Sequence, residues 1–265
     1  MASTLAILSS NRVAQRFGLL RATKRKALVC YITAGYPDID QSLSLFRGLE
    51  AEGADVIEIG VPFSDPIADG PVIQESSRQA LAAGMTLART LDLVSTAKLN
   101  VPVVLFTYLN PLLAAGDDCL RRAAECGVDG VLVTDLPVGA DARREAWLGE
   151  SELAFIRLVA PTTPVERMRE ISSHGSGFVY LISRLGVTGM QEAISADLAP
   201  TLERLRLATT LPICVGFGIS TGQQAATVGK LADGVVVGSA LVQASGRSVK
   251  EALQLTASLR AALDW

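Results

Sequence analysis

Short runs of apolar and β-branched residues alternate along this chain with longer stretches in which apolar side chains return every three or four positions. The short runs read as strands over residues 27–33, 55–60, 102–108, 130–134, 154–159, 177–183, 212–216 and 234–238. Between them the longer period predicts helices. Asp40 is placed to cap one that runs to Glu52, with Leu43, Phe46 and Leu49 on its apolar face, and Thr86 is placed to cap another bearing Leu87, Leu91 and Val94. Further helices are predicted near residues 119–126, 140–149, 164–173, 196–208, 221–229 and 249–263. Eight strands, each followed by helical sequence, predict a parallel sheet closed into a (β/α)8 TIM barrel, and 265 residues suit one such barrel. Two additions to the repeat are expected, an extra N-terminal helix near residues 11–20 and a short helix after strand 8, residues 239–243. No linker or low-complexity tract divides residues 1–265, which are read as a single domain.

Two connections are long for this fold. Residues 61–84, after strand 2, contain Pro62, Pro66 and Pro71; residues 184–195, after strand 6, contain Gly186 and Gly189. Loops that follow barrel strands form the face on which chemistry is done, so both lie where a site is expected.

Composition narrows the classes. Apolar residues make up 49% of the chain, enough for a large core, and the net charge of −3 is spread without a basic stripe, which argues against a nucleic-acid partner. No apolar run is long enough for a membrane span, and residues 1–10 read as a frayed helix start, not a signal peptide; a cytoplasmic protein is expected, a plastid one only if a transit peptide had been removed. Cys30, Cys119, Cys126 and Cys214 form no C-x-x-C pair and read as buried reduced thiols. The single histidine, His174, reads as a helix end beside a loop, which leaves no basis for a His-built metal site.

Glu58 is the first candidate for chemistry. It interrupts the apolar strand Val56-Ile57-Glu58-Ile59-Gly60, and a period of two puts Val56, Glu58 and Gly60 on one face and the bulky isoleucines on the other. The isoleucines are expected to meet helices, so Glu58 faces the barrel interior. Desolvation there raises a carboxyl pKa and suits a general acid/base; the structural alternative is an ion pair inside the barrel, for which Arg157 on strand 5 is the available partner. The next segment, Pro62-Phe63-Ser64-Asp65-Pro66-Ile67-Ala68-Asp69-Gly70-Pro71, carries two aspartates that are either turn formers or a second carboxylate held over the site. Glycines follow three late strands, at Gly186 and Gly189, at Gly216 and Gly218, and at Gly238 before Ser239; in this fold the loops after strands 7 and 8, with a helix N-terminus, frequently hold phosphate, the alternative being that the glycines only turn the chain. No lysine lies in the second half of a strand, which argues against a Schiff-base aldolase, and neither a G-x-S-x-G nor a P-loop signature is present. Carboxylate acid/base work on a phosphorylated, partly apolar ligand remains, with Tyr31, Tyr108, Tyr180 and Phe217 as an aromatic wall or as ordinary core.

The run from Glu58 to Pro71 resembles the signature of the tryptophan synthase α subunit family. Tyr31-Ile32-Thr33-Ala34-Gly35, Tyr108-Leu109-Asn110-Pro111, Thr134-Asp135-Leu136-Pro137, Ser183-Arg184-Leu185-Gly186-Val187-Thr188-Gly189 and Gly216-Phe217-Gly218-Ile219 are similar to family motifs in the family's order, as are Asn11-Arg12, Phe17 and Lys26-Ala27-Leu28. The resemblance implies retro-aldol cleavage of indole-3-glycerol phosphate to indole and glyceraldehyde 3-phosphate. It makes Glu58 the acid/base, Asp69 the carboxylate that stabilises positive charge at the indole nitrogen, and Tyr180 a lining residue of the catalytic site. It assigns phosphate to Gly189, Gly218, Gly238 and Ser239, and the indole to Tyr31, Tyr108, Thr134 and Phe217. Thr188 becomes the lid residue that bonds the aspartate. Asp65, Pro66 and Pro137 become the surface for a β subunit that carries pyridoxal phosphate in an α2β2 heterotetramer. The chain itself is then expected to need no cofactor and no metal. Leu185 and Thr134 depart from the family's usual small residues, in the lid and the indole pocket respectively. A stand-alone lyase and a mainly regulatory phosphate-binding subunit are the competing readings.

Overall fold

A computed structural model of the chain describes residues 11–182, 191–216 and 218–264. Eight parallel strands close on themselves in sequence order, β1 (Ala27–Thr33), β2 (Val56–Gly60), β3 (Val103–Thr107), β4 (Gly130–Val133), β5 (Ala154–Val159), β6 (Val179–Ile182), β7 (Ile213–Gly216) and β8 (Gly234–Val237), with β8 pairing back onto β1. Each predicted strand is present, shortened by at most two residues at its described ends. The helices among the described residues are α1 (Arg12–Ala22), α2 (Ile39–Ala51), α3 (Pro71–Ala82), α4 (Leu87–Ala97), α5 (Leu109–Ala115), α6 (Cys119–Glu125), α7 (Ala142–Gly149), α8 (Val165–Ser173), α9 (Gln191–Ala208), α10 (Gly222–Gly229), α11 (Ser239–Arg247) and α12 (Val249–Leu263).

Period-two alternation sorts every strand into two cores. Inward residues Val29, Val56, Val104, Leu132, Ile156, Cys214 and Val236 fill the barrel, and outward residues such as Leu28, Ile57, Ile59, Leu105 and Val235 pack against the helices. The extra N-terminal helix closes the lower end of the barrel: Val13, Phe17 and Leu20 of α1 belong to the interior core, and the Phe17 ring lies 5.3 Å from that of Phe178.

Several element starts differ from the sequence reading. The cap of α2 is Asp38, not Asp40: Asp38 is extended and its carboxylate accepts from Gln41 N, while Asp40 lies in the first turn, where a negative charge faces the positive end of the helix. The long connection after β2 is mostly helix. Pro71 occupies the first turn of α3, where its missing N–H costs nothing, so the loop proper is only residues 61–70. Helix α5 follows β3 with no cap from its own Tyr108 side chain, and α9 begins at Gln191, five residues ahead of expectation. Thr86 caps α4 as read, and the helix after β8 extends to Arg247. His174 ends α8 at the surface; Cys30, Cys119 and Cys214 are buried free thiols and Cys126 is half-buried. Residues 1–10, Ser183 and most of the loop after β6 lie outside the described residues.

One buried carboxylate ties the lower end together. Asp55 is fully buried; its Oδ1 accepts from Arg16 of α1 at 2.6 Å, and its Oδ2 accepts from Arg260 of α12 at 2.8 Å and from Leu28 N of β1 at 2.8 Å. Elements from both ends of the chain thus converge on a single side chain. Asp55→Ala removes the acceptor that two arginines and a backbone N–H share, and a loss of about 3–5 kcal/mol in unfolding free energy is expected by urea denaturation. A loss below about 1 kcal/mol would show that the cluster is not holding the barrel closed.

Candidate active site

The upper mouth of the barrel holds a cavity of about 340 Å³. Tyr31 of β1 and Glu58 of β2 stand side by side in the ladder, and Val104 of β3 completes the row. The cavity above them is walled by Phe106, Leu158 and Tyr180, roofed by Ala68 and Asp69 of the loop after β2, and bounded on the far side by Gly218, Gly238 and Ser239.

Glu58 is fully buried, and neither carboxyl oxygen has a hydrogen-bond partner among the described residues. Burial pushes its pKa up from the usual carboxylate range to about 8. The structural alternative of an ion pair inside the barrel fails on geometry. Arg157 bonds Glu145 at 2.9 Å, the carbonyls of Leu136 and His174 at 3.1 Å each, and lies 3.7 Å over the ring of Phe155. Glu58 therefore carries a proton at neutral pH and offers it to the cavity.

Asp69 is both a turn former and a site residue. Its N–H donates to Pro66 O at 3.0 Å, closing a tight turn, and its half-buried carboxylate enters the cavity. Desolvation raises its pKa to about 6, opposed by a hydrogen bond donated by the Tyr108 hydroxyl at 3.0 Å. The two carboxyl groups thus differ in charge at neutral pH, Glu58 neutral and Asp69 ionised, a separation of roles that environment alone creates.

Two glycines at strand ends make room for tyrosines. A Cβ on Gly60 would lie 2.1 Å from the Tyr31 hydroxyl, and one on Gly216 would lie 2.2 Å from the Tyr180 hydroxyl. Any side chain at either position evicts a phenol from the cavity wall. Gly218 has φ +71°, in the left-handed region that favours glycine, and Gly238 precedes the first turn of α11, whose leading N–H groups have no partner within the helix. Ser239 and Ala240 at the start of this helix line the cavity, and free N–H groups at the positive end of a helix suit a phosphate dianion.

Of the residues singled out from sequence, the cavity gathers Glu58, Asp69, Tyr180, Tyr31, Thr134, Gly218, Gly238 and Ser239. Tyr108 does not line it; its hydroxyl turns to the loop after β2. Asp65, Pro66 and Pro137 lie outside the cavity, on loops at the same end of the barrel; Asp65 and Pro137 are exposed, and Ile67 beside them is 85% exposed. Gly189, Phe217 and Thr188 lie outside the described residues. Sequence reasoning missed Phe106, Leu158, Ile182 and Val236 as cavity residues. The signal was present, because the alternation that turned Glu58 inward also turns these four inward at the upper ends of their strands.

Comparison with known proteins shows the family to which this fold and sequence belong. The sequence model of the family described as "Tryptophan synthase alpha chain" matches residues 17–264. The chain is 48% identical to the tryptophan synthase alpha chain of Caulobacter vibrioides, over 89% of this chain and 87% of that one, and 46% identical to that of a Caulobacter strain over the same shares. Among solved structures, tryptophan synthase subunit alpha from Legionella pneumophila superposes with a TM-score of 0.87 at 35% identity, covering 96% of this chain and 98% of that one. Tryptophan synthase of Mycobacterium tuberculosis superposes with a TM-score of 0.88 at 36% identity, covering 96% and 99%. The chain, a (β/α)8 barrel with a buried acid inside it and glycines at the mouth of its cavity, belongs to the tryptophan synthase alpha chain family.

Proposed function

We propose that this protein cleaves indole-3-glycerol phosphate to indole and glyceraldehyde 3-phosphate, with Glu58 as the acid/base and Asp69 as the electrostatic stabiliser. The observation that carries the assignment is a fully buried carboxyl with both oxygens unpartnered, facing a cavity that also holds a second, ionised carboxylate. Glu58 starts protonated and delivers its proton to C3 of the indole, which makes the ring an indoleninium cation. Asp69, charged at neutral pH, stabilises the positive charge at the ring nitrogen. The bond between C3 and the side chain then breaks; its electron pair neutralises the ring, and the hydroxyl proton of the side chain passes to Glu58. The acid is regenerated, so the proton count closes over the cycle. Gly218, Gly238, Ser239 and the α11 N-terminus anchor the phosphate, Tyr31 and Thr134 border the indole, and Tyr180 lines the site beside Glu58. The same reading gives Gly189 and Phe217 to the phosphate and the indole, and Thr188 to the lid.

The family's name speaks for a larger synthase, and the reading extends to a β subunit docked on the loops that carry Asp65, Pro66 and Pro137, in an α2β2 assembly. Exposed Ile67 between Pro66 and Ala68 supports a contact there, since an isolated large apolar side chain on a loop tip is suited to a partner's pocket. The chain needs no cofactor of its own in this scheme, pyridoxal phosphate belonging to the β subunit. No helix among the described residues is long and apolar enough to cross a membrane, and the cytoplasm is the compartment the reading implies.

Indole release from indole-3-glycerol phosphate tests the assignment. Slow release by the chain alone, rising strongly with a tryptophan synthase β subunit, is expected. Glu58→Gln is expected to lower kcat by about 10²–10⁴-fold and Asp69→Asn by about 10²–10³-fold. Full activity in Glu58→Gln would remove the acid/base role, and fast release indifferent to the partner would mark a stand-alone lyase.

The buried acid also sets a pH dependence of stability. An unfolded glutamate ionises near 4.5, whereas the folded group keeps its proton to about 8, so stability is lost as pH rises between these values. The full loss is about 5 kcal/mol for a shift of this size. Glu58→Gln removes it, so the variant is expected to gain stability over the wild type from pH 5 to pH 8 in urea melts. Asp69 contributes with the same sign in both proteins and cancels from the difference. Parallel stability profiles would contradict the burial of an unpaired acid.

A further inference from the structure

Tyr108 and Asp135 have no part in the acid/base scheme, yet the structure bonds Tyr108 to Asp69 and Asp135 to the backbone beside Tyr108. The Tyr108 hydroxyl accepts from Ala68 N at 3.0 Å and contacts Asp69 Oδ2 at 3.0 Å. A backbone N–H can only donate, and the Thr134 hydroxyl, in a bond that favours the charged phenolate, also donates to the phenol oxygen, so the phenol proton is free to go to the carboxylate. The Tyr108 ring is held from one side by Phe63, at 4.9 Å between ring centres. Its backbone is held from the other. Tyr108 is the N-cap residue of α5 but offers no side-chain cap; that service comes from Asp135, in the loop after β4, whose Oδ1 accepts from Leu109 N at 2.7 Å. The loop that carries Asp135 is itself pinned, since Arg157 donates to Leu136 O at 3.1 Å and Gly139 N donates to Glu145 at 2.7 Å.

We propose that Tyr108 is the positioning residue for Asp69, gripping the Ala68 backbone and the Asp69 carboxylate through one hydroxyl, and that Asp135 holds Tyr108 in place by capping α5 across the strand boundary. The clasp does two things. It fixes the loop after β2 over the cavity, and it supplies the single hydrogen-bond donor recorded for the Asp69 carboxylate among the described residues, favouring the charged form. The groups that face Asp69 are the phenols of Tyr31 on β1, Tyr108 after β3 and Tyr180 on β6, with Glu58 of β2 in the same cavity. No lysine or arginine is among the described residues that line the cavity, so the phenol of Tyr108 has no cationic substitute there. The proposal rests on the reading of Asp69 as the carboxylate that stabilises the cationic ring.

Tyr108→Phe keeps the ring and its contact with Phe63 and deletes only the hydroxyl. The acid limb of kcat/KM for indole-3-glycerol phosphate, which follows Asp69, is expected to move up by about one pH unit, so that the loss at pH 6 exceeds the loss at pH 8.5 by about fivefold. Asp135→Ala is expected to move the limb in the same direction by less. A structural role alone would lower kcat at every pH and leave the limb in place, and that result overturns the proposal; an unmoved limb in Asp135→Ala alone overturns the capping step. Titration of 13C-labelled aspartate by NMR in the ligand-free proteins reads the same shift on Asp69 without turnover. If the wild type shows no cleavage, the functional reading fails, and the NMR titration alone decides: a raised Asp69 midpoint in Tyr108→Phe supports the clasp, an unchanged one overturns it.

Discussion

A carboxyl group held inside a ring of strands without a hydrogen-bond partner must either give up its charge or be offset by something that arrives later. Glu58 is in that position. Water is excluded from it, the nearest strand neighbours are apolar or phenolic, and the one arginine on the strands is committed elsewhere. Burial therefore holds a proton on Glu58 at a pH where ordinary glutamate has lost it. The cost is borne by the barrel as a whole, which must be stable enough to keep the acid dry. The closed sheet, the plug formed by α1 and the ion cluster around Asp55 supply that stability at the end of the barrel away from the chemistry. The acid sits toward the mouth, where the strand ends open on the loops that line the cavity.

The rest of the site follows from needing opposite charge states a short distance apart. Asp69 comes from a loop instead of a strand, which leaves it half-buried, and a phenol donates to it; both features keep it ionised where Glu58 is neutral. Glycines at the ends of β2 and β7 let two tyrosines lie across the strands, so the wall is aromatic without filling the cavity. The cavity end lined by Gly218, Gly238 and the start of α11, proposed above to hold the phosphate, offers backbone N–H groups and a helix N-terminus, and no lysine or arginine among the described residues lines the cavity to lower the pKa of the acid. That end and the buried acid are thus electrostatically compatible.

Much of this was legible in the chain. Alternation in β2 alone turned Glu58 inward, and the spacing of apolar runs gave eight strands within two residues of their described ends. The recurrence of glycines after late strands pointed to the far side of the site, and Gly218, Gly238 and Ser239 do meet at the cavity. What stayed hidden depends on contacts between distant segments. The bond from Tyr108 to Asp69 spans 39 positions and exists only once the loop after β2 folds over the mouth, so the sequence showed Tyr108 merely as an aromatic near the site. The Asp55 cluster draws on α1, β1, β2 and α12, and no local pattern announces it. Helix α3 was masked by three nearby prolines that read as loop, although Pro71 in a first turn is a helix start. Asp40 was taken for the cap of α2 in place of Asp38 because both fit the local pattern, and only backbone conformation separates them.

The most direct measurement is the ionisation of Glu58 itself. With 13C-labelled glutamate and Glu58→Gln to identify the signal, NMR of the ligand-free protein follows one carboxyl carbon through a pH titration. A midpoint near 8 is the result this account requires. A midpoint near the ordinary glutamate value of 4.5 would mean that the group is solvated or paired, and would contradict the picture of a dry, proton-bearing acid at the centre of the barrel.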